Sequence, residues 1–129
     1  MRSLEGRTAL VAGGDTGAGR ALALALSARG VRIVTTGRDE KALGITIGEV
    51  VHGGGKARHL AGDPRDAAHL TAAVERAIEV FGGLDIVIVV EADVDAKNVE
   101  YTFSAAAPRV RSPGRLLVAS VRTEGAAEA

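Results

Sequence analysis

The chain has 129 residues, 47% hydrophobic and 25% charged, with 16 basic and 16 acidic side chains and no cysteine. That is the length and composition of one globular domain, residues 1–129, with a real core. Zero formal charge and 2% aromatics give no electrostatic or stacking reason to expect nucleic acid or an anionic membrane as a partner, and the missing cysteines exclude disulfides, thiolate nucleophiles and zinc–thiolate sites. No apolar run reaches the roughly 18–20 residues of a membrane helix. Met1–Arg7 lacks an apolar signal core, so a reducing cytoplasm is the expected compartment.

Apolar runs alternate with longer amphipathic ones, the pattern of βα units on a parallel sheet. A first strand is predicted over Arg7–Ala12 and a helix over Gly17–Arg29, closed by Gly30. A second strand spans Val31–Thr36, followed by a helix from an Asp39 N-cap to His52. Gly44, Gly48 and the β-branched run Ile45-Thr46-Ile47 argue least well for a helix there. Gly53-Gly54-Gly55 leads to a third strand, Ala57–Ala61. Asp66 caps a third helix in which Leu70, Ala73, Val74, Ala77, Ile78 and Phe81 recur at helical spacing, and Gly82-Gly83 ends it. Leu84–Val90 is almost wholly apolar, as a strand covered on both faces should be. A fourth helix is expected over Ala96–Val110, a turn at Arg111-Ser112-Pro113-Gly114, a fifth strand over Arg115–Val121 and a frayed tail over 122–129.

Right-handed crossovers turn this series into a three-layer α/β/α sandwich, a doubly wound parallel sheet of five strands in the order 3-2-1-4-5. Ligands sit beyond the carboxyl ends of such strands, where the order reverses between strands 1 and 4. The stretch Gly13-Gly14-Asp15-Thr16-Gly17-Ala18-Gly19 falls at that point and opens into a helix. Bare amides at a helix N-terminus favour a phosphate. Gly13, Gly17 and Gly19 stand where a side chain would block a dinucleotide, or where the backbone needs φ > 0.

Taken together, these residues resemble the short-chain dehydrogenase/reductase family, whose fold is of the Rossmann type. The likeness runs over Leu4–Val90 and less securely over Asn98–Ser120. It is carried by Gly13-x-x-x-Gly17-x-Gly19, by Gly37-Arg38-Asp39 after strand 2, by Gly62-Asp63 after strand 3, and by Phe81-Gly82-Gly83-Leu84-Asp85 entering strand 4. The resemblance implies that Gly13, Asp15, Thr16, Gly17, Ala18 and Gly19 form the pyrophosphate turn of an NAD(P) site. In the family an acidic residue at the end of strand 2 binds the ribose hydroxyls of NAD. The matching residue here is Gly37, and Arg38 follows it. An empty acidic slot beside a guanidinium points to NADP, with NAD as the alternative; the bland reading of Arg38 is a solvated loop residue. Asp15 adds negative charge near the phosphates. Asp63 matches the family residue that accepts from the adenine amino group, but Pro64 lacks the N–H that normally follows it. Plain turn chemistry also accounts for Asp63-Pro64.

The chain departs from the family after strand 4, where Asn-Asn-Ala-Gly becomes Val89-Val90-Glu91-Ala92 and the segment before Asn98 is short. Glu91 is unfavourable beside a dinucleotide unless it points to solvent. Asn98 matches the helix-4 asparagine of the family's catalytic set, or is a helix N-cap. The family's tyrosine acid/base and the lysine four residues on have no counterpart. The sole tyrosine is Tyr101, four residues on stands Ala105, and the last lysine is Lys97. The usual catalytic serine falls at Val121, with Ser120 on the other face of the strand; the helix that carries the tyrosine and lysine would follow Ala129. Loss of a proton donor costs about 10²–10⁴-fold in rate.

No metal site is expected. His52, His59 and His69 read as surface or turn residues, Asp93 and Asp95 as acidic loop residues, and Arg109, Arg111 and Arg115 as solubilising charges. Three functions are compatible with the whole: an NADP(H)-binding domain that is not catalytic alone, an oxidoreductase completed by other groups, and a scaffold or truncated gene product that binds no nucleotide. The bare edge of strand 5, with Leu116, Leu117 and Val118, predicts a homodimer through that edge or helix 4.

Overall fold

β1 (Thr8–Ala12), β2 (Arg32–Gly37), β3 (Ala57–Ala61), β4 (Leu84–Glu91) and β5 (Val110–Ser120) form one parallel sheet in the order β3-β2-β1-β4-β5. Between them run α1 (Gly17–Ser27), α2 (Glu40–His52), α3 (Ala67–Phe81) and α4 (Ala96–Ala106), the last continued by a short 3₁₀ turn, Ala107–Arg109. This is a computed structural model, and it describes residues 3–91 and 96–120. The doubly wound α/β/α order read from the sequence is the order found.

Strand alternation builds the core as two layers. Ala9, Val11, Ile33, Ile86 and Ile88 face one way and pack with Ala23 of α1 and Val50 of α2. Leu10, Val34 and Val87 face the other way and meet Ala73, Val74 and Ala77 of α3 and Ala106 of α4. Because both faces are covered, every residue of β1 and all of 84–90 are buried, which is why these strands read as unbroken apolar runs.

The doubtful second helix is a helix. Asp39 caps it by accepting from the Ala42 amide at 3.1 Å, and Leu43, Thr46 and Val50 bury one face. Those terms outweigh Gly44 and Gly48, which together cost about 1–2 kcal/mol in propensity. Asp66 caps α3 through the Ala68 amide, and Gly82, at φ 83°, ends it in the left-handed region.

The fourth helix stops earlier than its pattern suggested. Pro108 brings no amide to the helical ladder, so α4 closes at Ala106 and tightens into the 3₁₀ turn. The expected Arg111–Gly114 turn is instead taken into β5, which starts at Val110. Leu84 pairs with Val110 and Ile86 with Arg115, so residues 111–114 stand opposite Asp85 alone, as a large irregularity in the ladder. Val121 and the 122–129 tail lie outside the described residues.

Candidate functional site

The turn after β1 is held from three sides. The amides of Gly13 and Gly14 both donate to the Thr36 carbonyl, at 2.8 and 3.2 Å. The Thr46 hydroxyl of α2 donates to the Gly14 carbonyl at 2.9 Å. Thr16 caps α1: its hydroxyl donates to the Gly13 carbonyl at 2.7 Å and accepts from the Gly19 amide at 3.0 Å. The first amides of a helix have no partner within it. The cap takes that of Gly19 and leaves those of Gly17 and Ala18 for an outside acceptor.

The glycines of this turn differ in what demands them. Gly13 has φ 102°, and a Cβ there would stand 2.3 Å from the Val90 carbonyl oxygen at the end of β4. A Cβ on Gly14 would meet the Thr35 hydroxyl at 1.7 Å, and one on Gly19 would meet the Gly13 carbonyl oxygen at 2.0 Å. Gly17 is different. Its φ is unexceptional and, among the described residues, nothing lies within 4 Å of the Cβ position. The packing of the described residues does not need a glycine there, and they leave the helix start open at that point.

The space beside Gly37 is not empty. A Cβ on Gly37 would stand 2.3 Å from Oδ1 of Asp15, so the Asp15 carboxyl fills the position that a side chain at the end of β2 would take. Oδ2 of Asp15 accepts from the amides of Arg38 and Asp39, at 3.1 and 3.2 Å. This carboxylate ties the glycine turn to the N-terminus of α2. The sequence expectation of a vacant acidic slot is therefore corrected: a carboxylate stands in it, supplied from the first loop instead of the second strand.

Arg38 extends to Asp63, with Nη2 3.2 Å from Oδ1. Both side chains are more than half exposed, so solvent screens the pair and it is readily broken. The same Oδ1 accepts from the Arg65 amide at 2.8 Å, an Asx turn across Pro64. That amide, with the Arg38 charge and hydrogen bond, holds the Asp63 carboxyl below the ordinary carboxylate range against the effect of burial.

His69 is not a surface histidine. It is half-buried, its ring lies against Gly62, and Nε2 contacts the Thr36 hydroxyl. That hydroxyl has one proton and gives it to the Leu60 carbonyl at 2.7 Å. Nε2 must then be the donor, which fixes the neutral tautomer. Burial pushes the His69 pKa below its ordinary value, against the pull of Asp66 and Asp63. His69 is thus a brace between β2 and the Gly62–Asp63 loop. His59 pairs with Glu40 at 3.0 Å.

Val89 and Val90 are buried at the end of β4, and Glu91 pairs in register with Ser120. Asn98 is the third residue of α4. The expectations for the side chains of Glu91 and Asn98, and those for Asp93 and Asp95, fall outside what is described. Among the described residues no His/Asp/Glu group could hold a metal ion, and no helix is long and apolar enough to cross a membrane. Of the three arginines read as solubilising charges, Arg111 is structural, binding the buried Asp85, while Arg109 makes an exposed pair with Glu75 of α3.

Sequence reasoning passed over Gly14, Thr35, Thr36 and Thr46, which brace the turn. Their signals were a glycine doublet, a threonine pair ending an apolar strand, and a threonine on the buried face of a glycine-containing helix.

The sequence profile described as short chain dehydrogenase matches residues 7–104. Hydroxysteroid dehydrogenase-like protein 2 of Rattus norvegicus is 39% identical over 92 residues, covering 66% of this chain and 18% of that protein. A short chain dehydrogenase of Burkholderia cenocepacia solved in complex with NADP superposes with a TM-score of 0.76 at 26% identity, over 91% of this chain and 56% of that one. A short chain dehydrogenase/reductase of Burkholderia phymatum in complex with NAD superposes with a TM-score of 0.84 over 92% of this chain and 50% of that one; at 20% identity this is a likeness of fold. The chain thus spans about half the length of these solved structures and less than a fifth of the rat protein. Profile, sheet order and glycine turn agree: the chain belongs to the short-chain dehydrogenase family.

Proposed function

We propose that the chain binds a nicotinamide adenine dinucleotide across the β1–α1 turn and does not transfer hydride by itself. Gly17 carries the reading. A glycine in the first turn of a helix costs up to about 1 kcal/mol in conformational freedom, and no contact among the described residues requires it. An external group lying against the unpaired amides of Gly17 and Ala18 supplies the reason, and a pyrophosphate is the group such a helix start favours. The solved relatives in complex with NAD and NADP support the same ligand class. When bound, the dinucleotide supplies a hydride donor or acceptor. This chain's own residues supply the phosphate turn, while Tyr-x-x-x-Lys is absent from its 129 residues.

Two side chains bear on which dinucleotide is taken. Arg38 favours NADP, since its weak exposed pair with Asp63 can be exchanged for a 2′-phosphate. Asp15 favours NAD, by placing a carboxylate where the NADP reading needed none.

Calorimetric titration with NADH and NADPH is expected to give a micromolar Kd for at least one of them, with no consumption of either when a dicarbonyl is added. Absence of binding to both would remove this reading and leave a scaffold that takes no nucleotide. That outcome is the one Asp15, Pro64 and Glu91 favour in the sequence, and the Arg38–Asp63 contact, which spans the loops after β2 and β3, adds to it.

Self-association belongs to the same reading. β5 is an edge strand, paired with β4 on one side, and Leu116 is 40% exposed. Light scattering at high protein concentration is expected to report a dimer or larger species; a clean monomer would contradict it.

A further inference from the structure

We infer that Asp15 is the cofactor-selecting carboxylate of this chain, standing in space for the acidic residue that β2 lacks, and that it makes the site prefer NAD(H) to NADP(H). The inference rests on the dinucleotide reading above and fixes which member of that class is taken.

Three observations carry it. The first is position. Oδ1 and Cγ of Asp15 lie 2.3 and 2.4 Å from where a Cβ of residue 37 would be, so the two side chains are mutually exclusive. Gly37 is needed because Asp15 occupies its side-chain space. A carboxylate reaching this place from the glycine turn presents the same acceptor chemistry as one rooted at the strand end, which is where a ribose hydroxyl is recognised.

The second is rigidity. Oδ2 takes two backbone amides, those of Arg38 and Asp39, and a carboxylate held by backbone donors does not swing away as an exposed side chain does. Oδ1 has no hydrogen-bond partner among the described residues, which leaves it free to accept from a hydroxyl.

The third is charge. A ribose 2′-hydroxyl donates a proton to a carboxylate, whereas a 2′-phosphate brings only acceptors and negative charge to it. Arg38, just after β2, and Arg65, in the loop after β3, are cations beside these loops that could offset this. The Arg38 guanidinium has only a weak exposed pair with Asp63 and can turn to a 2′-phosphate, but among the described residues it is held at no second point, whereas the Asp15 carboxylate is fixed by two backbone amides. The fixed carboxylate therefore decides the sign of the preference and Arg38 its size.

The test is titration calorimetry of the full chain with NADH and with NADPH, on wild type, Asp15→Asn, and the exchange variant Asp15→Ser/Gly37→Asp, with a thermal melt of each. Wild type is expected to bind NADH at least about tenfold more tightly than NADPH, the size of one hydrogen bond to a charged group. Asp15→Asn should erase that ratio, and the exchange variant, with the carboxylate returned to the strand end, should restore it. A role confined to holding the loops together would weaken both ligands alike and leave the ratio unchanged. Equal or tighter binding of NADPH by wild type, or an unchanged ratio in Asp15→Asn, overturns the inference while dinucleotide binding stands. No binding of either ligand by folded wild type overturns both. If Asp15→Asn does not fold, the wild-type ratio and the exchange variant decide.

Discussion

Gly19→Ala is expected to lose roughly 3 kcal/mol of stability and at least about 100-fold in dinucleotide affinity, whereas Gly17→Ala keeps its stability and loses affinity alone. The added methyl at position 19 would stand 2.0 Å from the Gly13 carbonyl oxygen and 2.7 Å from its carbon. Both are backbone atoms, so no rotamer change relieves the clash. The turn has to open, and opening breaks the Thr16 cap, whose hydroxyl joins the Gly13 carbonyl to the Gly19 amide. Losing a cap costs about 1–2 kcal/mol and overpacking about 1–3. For a chain of 129 residues that is a fall in Tm of roughly 10 °C.

At position 17 the methyl meets none of the described residues within 4 Å. Alanine there stabilises the helix by up to about 1 kcal/mol. If the turn carries a pyrophosphate, the same methyl stands between the ligand and the amides. Melting curves and NADH titrations of the two variants separate packing from binding. A Gly17→Ala protein that binds as wild type does would show that the open helix start is not the phosphate site.

Local patterns were legible in the sequence wherever one element answers for itself. The α3 residues Leu70, Ala73, Val74 and Ala77 are buried along one stripe. Asp39 and Asp66 cap the helices they precede. The apolar run of β4 is central because both of its faces are covered. The strand order is the doubly wound one expected once four βα units and a fifth strand are joined by right-handed crossovers.

What escaped is what two distant segments make together. Nothing local in Gly37-Arg38-Asp39 says that a carboxylate from residue 15 fills the space beside the glycine, because that contact is fixed by the pairing of β1 with β2. His69 looks like a helix-surface histidine until Thr36 and Gly62 are brought against it. Arg111-Ser112-Pro113-Gly114 has turn composition and does leave the ladder. Its irregularity is absorbed within a strand because Val110 has already paired with Leu84. The purpose of Arg111 is equally non-local, since its partner lies on β4.

That partner is the subject of the second large effect: Asp85→Ala is expected to cost about 2–3 kcal/mol at neutral pH and to remove much of the protein's acid sensitivity. Asp85 is 3% exposed at the amino end of β4. It accepts from the Thr8 amide of β1 at 2.9 Å and from Nε of Arg111 at 3.0 Å, with a second bond from Nη2, and Nη1 of Arg7 lies 3.5 Å away. One carboxylate thus joins β1, β4 and the irregular start of β5. Breaking a buried pair typically costs about 3–5 kcal/mol. Here Arg7 and Arg111 are 28% and 47% exposed and regain water when the partner goes, so the lower figure applies.

The acid limb follows from linkage. Burial raises the Asp85 pKa, but the Arg111 hydrogen bond, the Thr8 amide and the two arginine charges outweigh it, and the pKa comes out below its ordinary value. The folded value lies under the unfolded one, so the stabilisation is complete above about pH 4 and is lost as pH falls through the folded pKa. Asp63 is shifted in the same direction and adds to the same window. Urea denaturation between pH 2 and 7 should show wild type losing stability steeply below pH 4 and Asp85→Ala losing it less steeply, so that the two curves converge in acid. Parallel curves, or a neutral-pH difference under about 0.5 kcal/mol, would mean that the arginines are held by something other than this carboxylate.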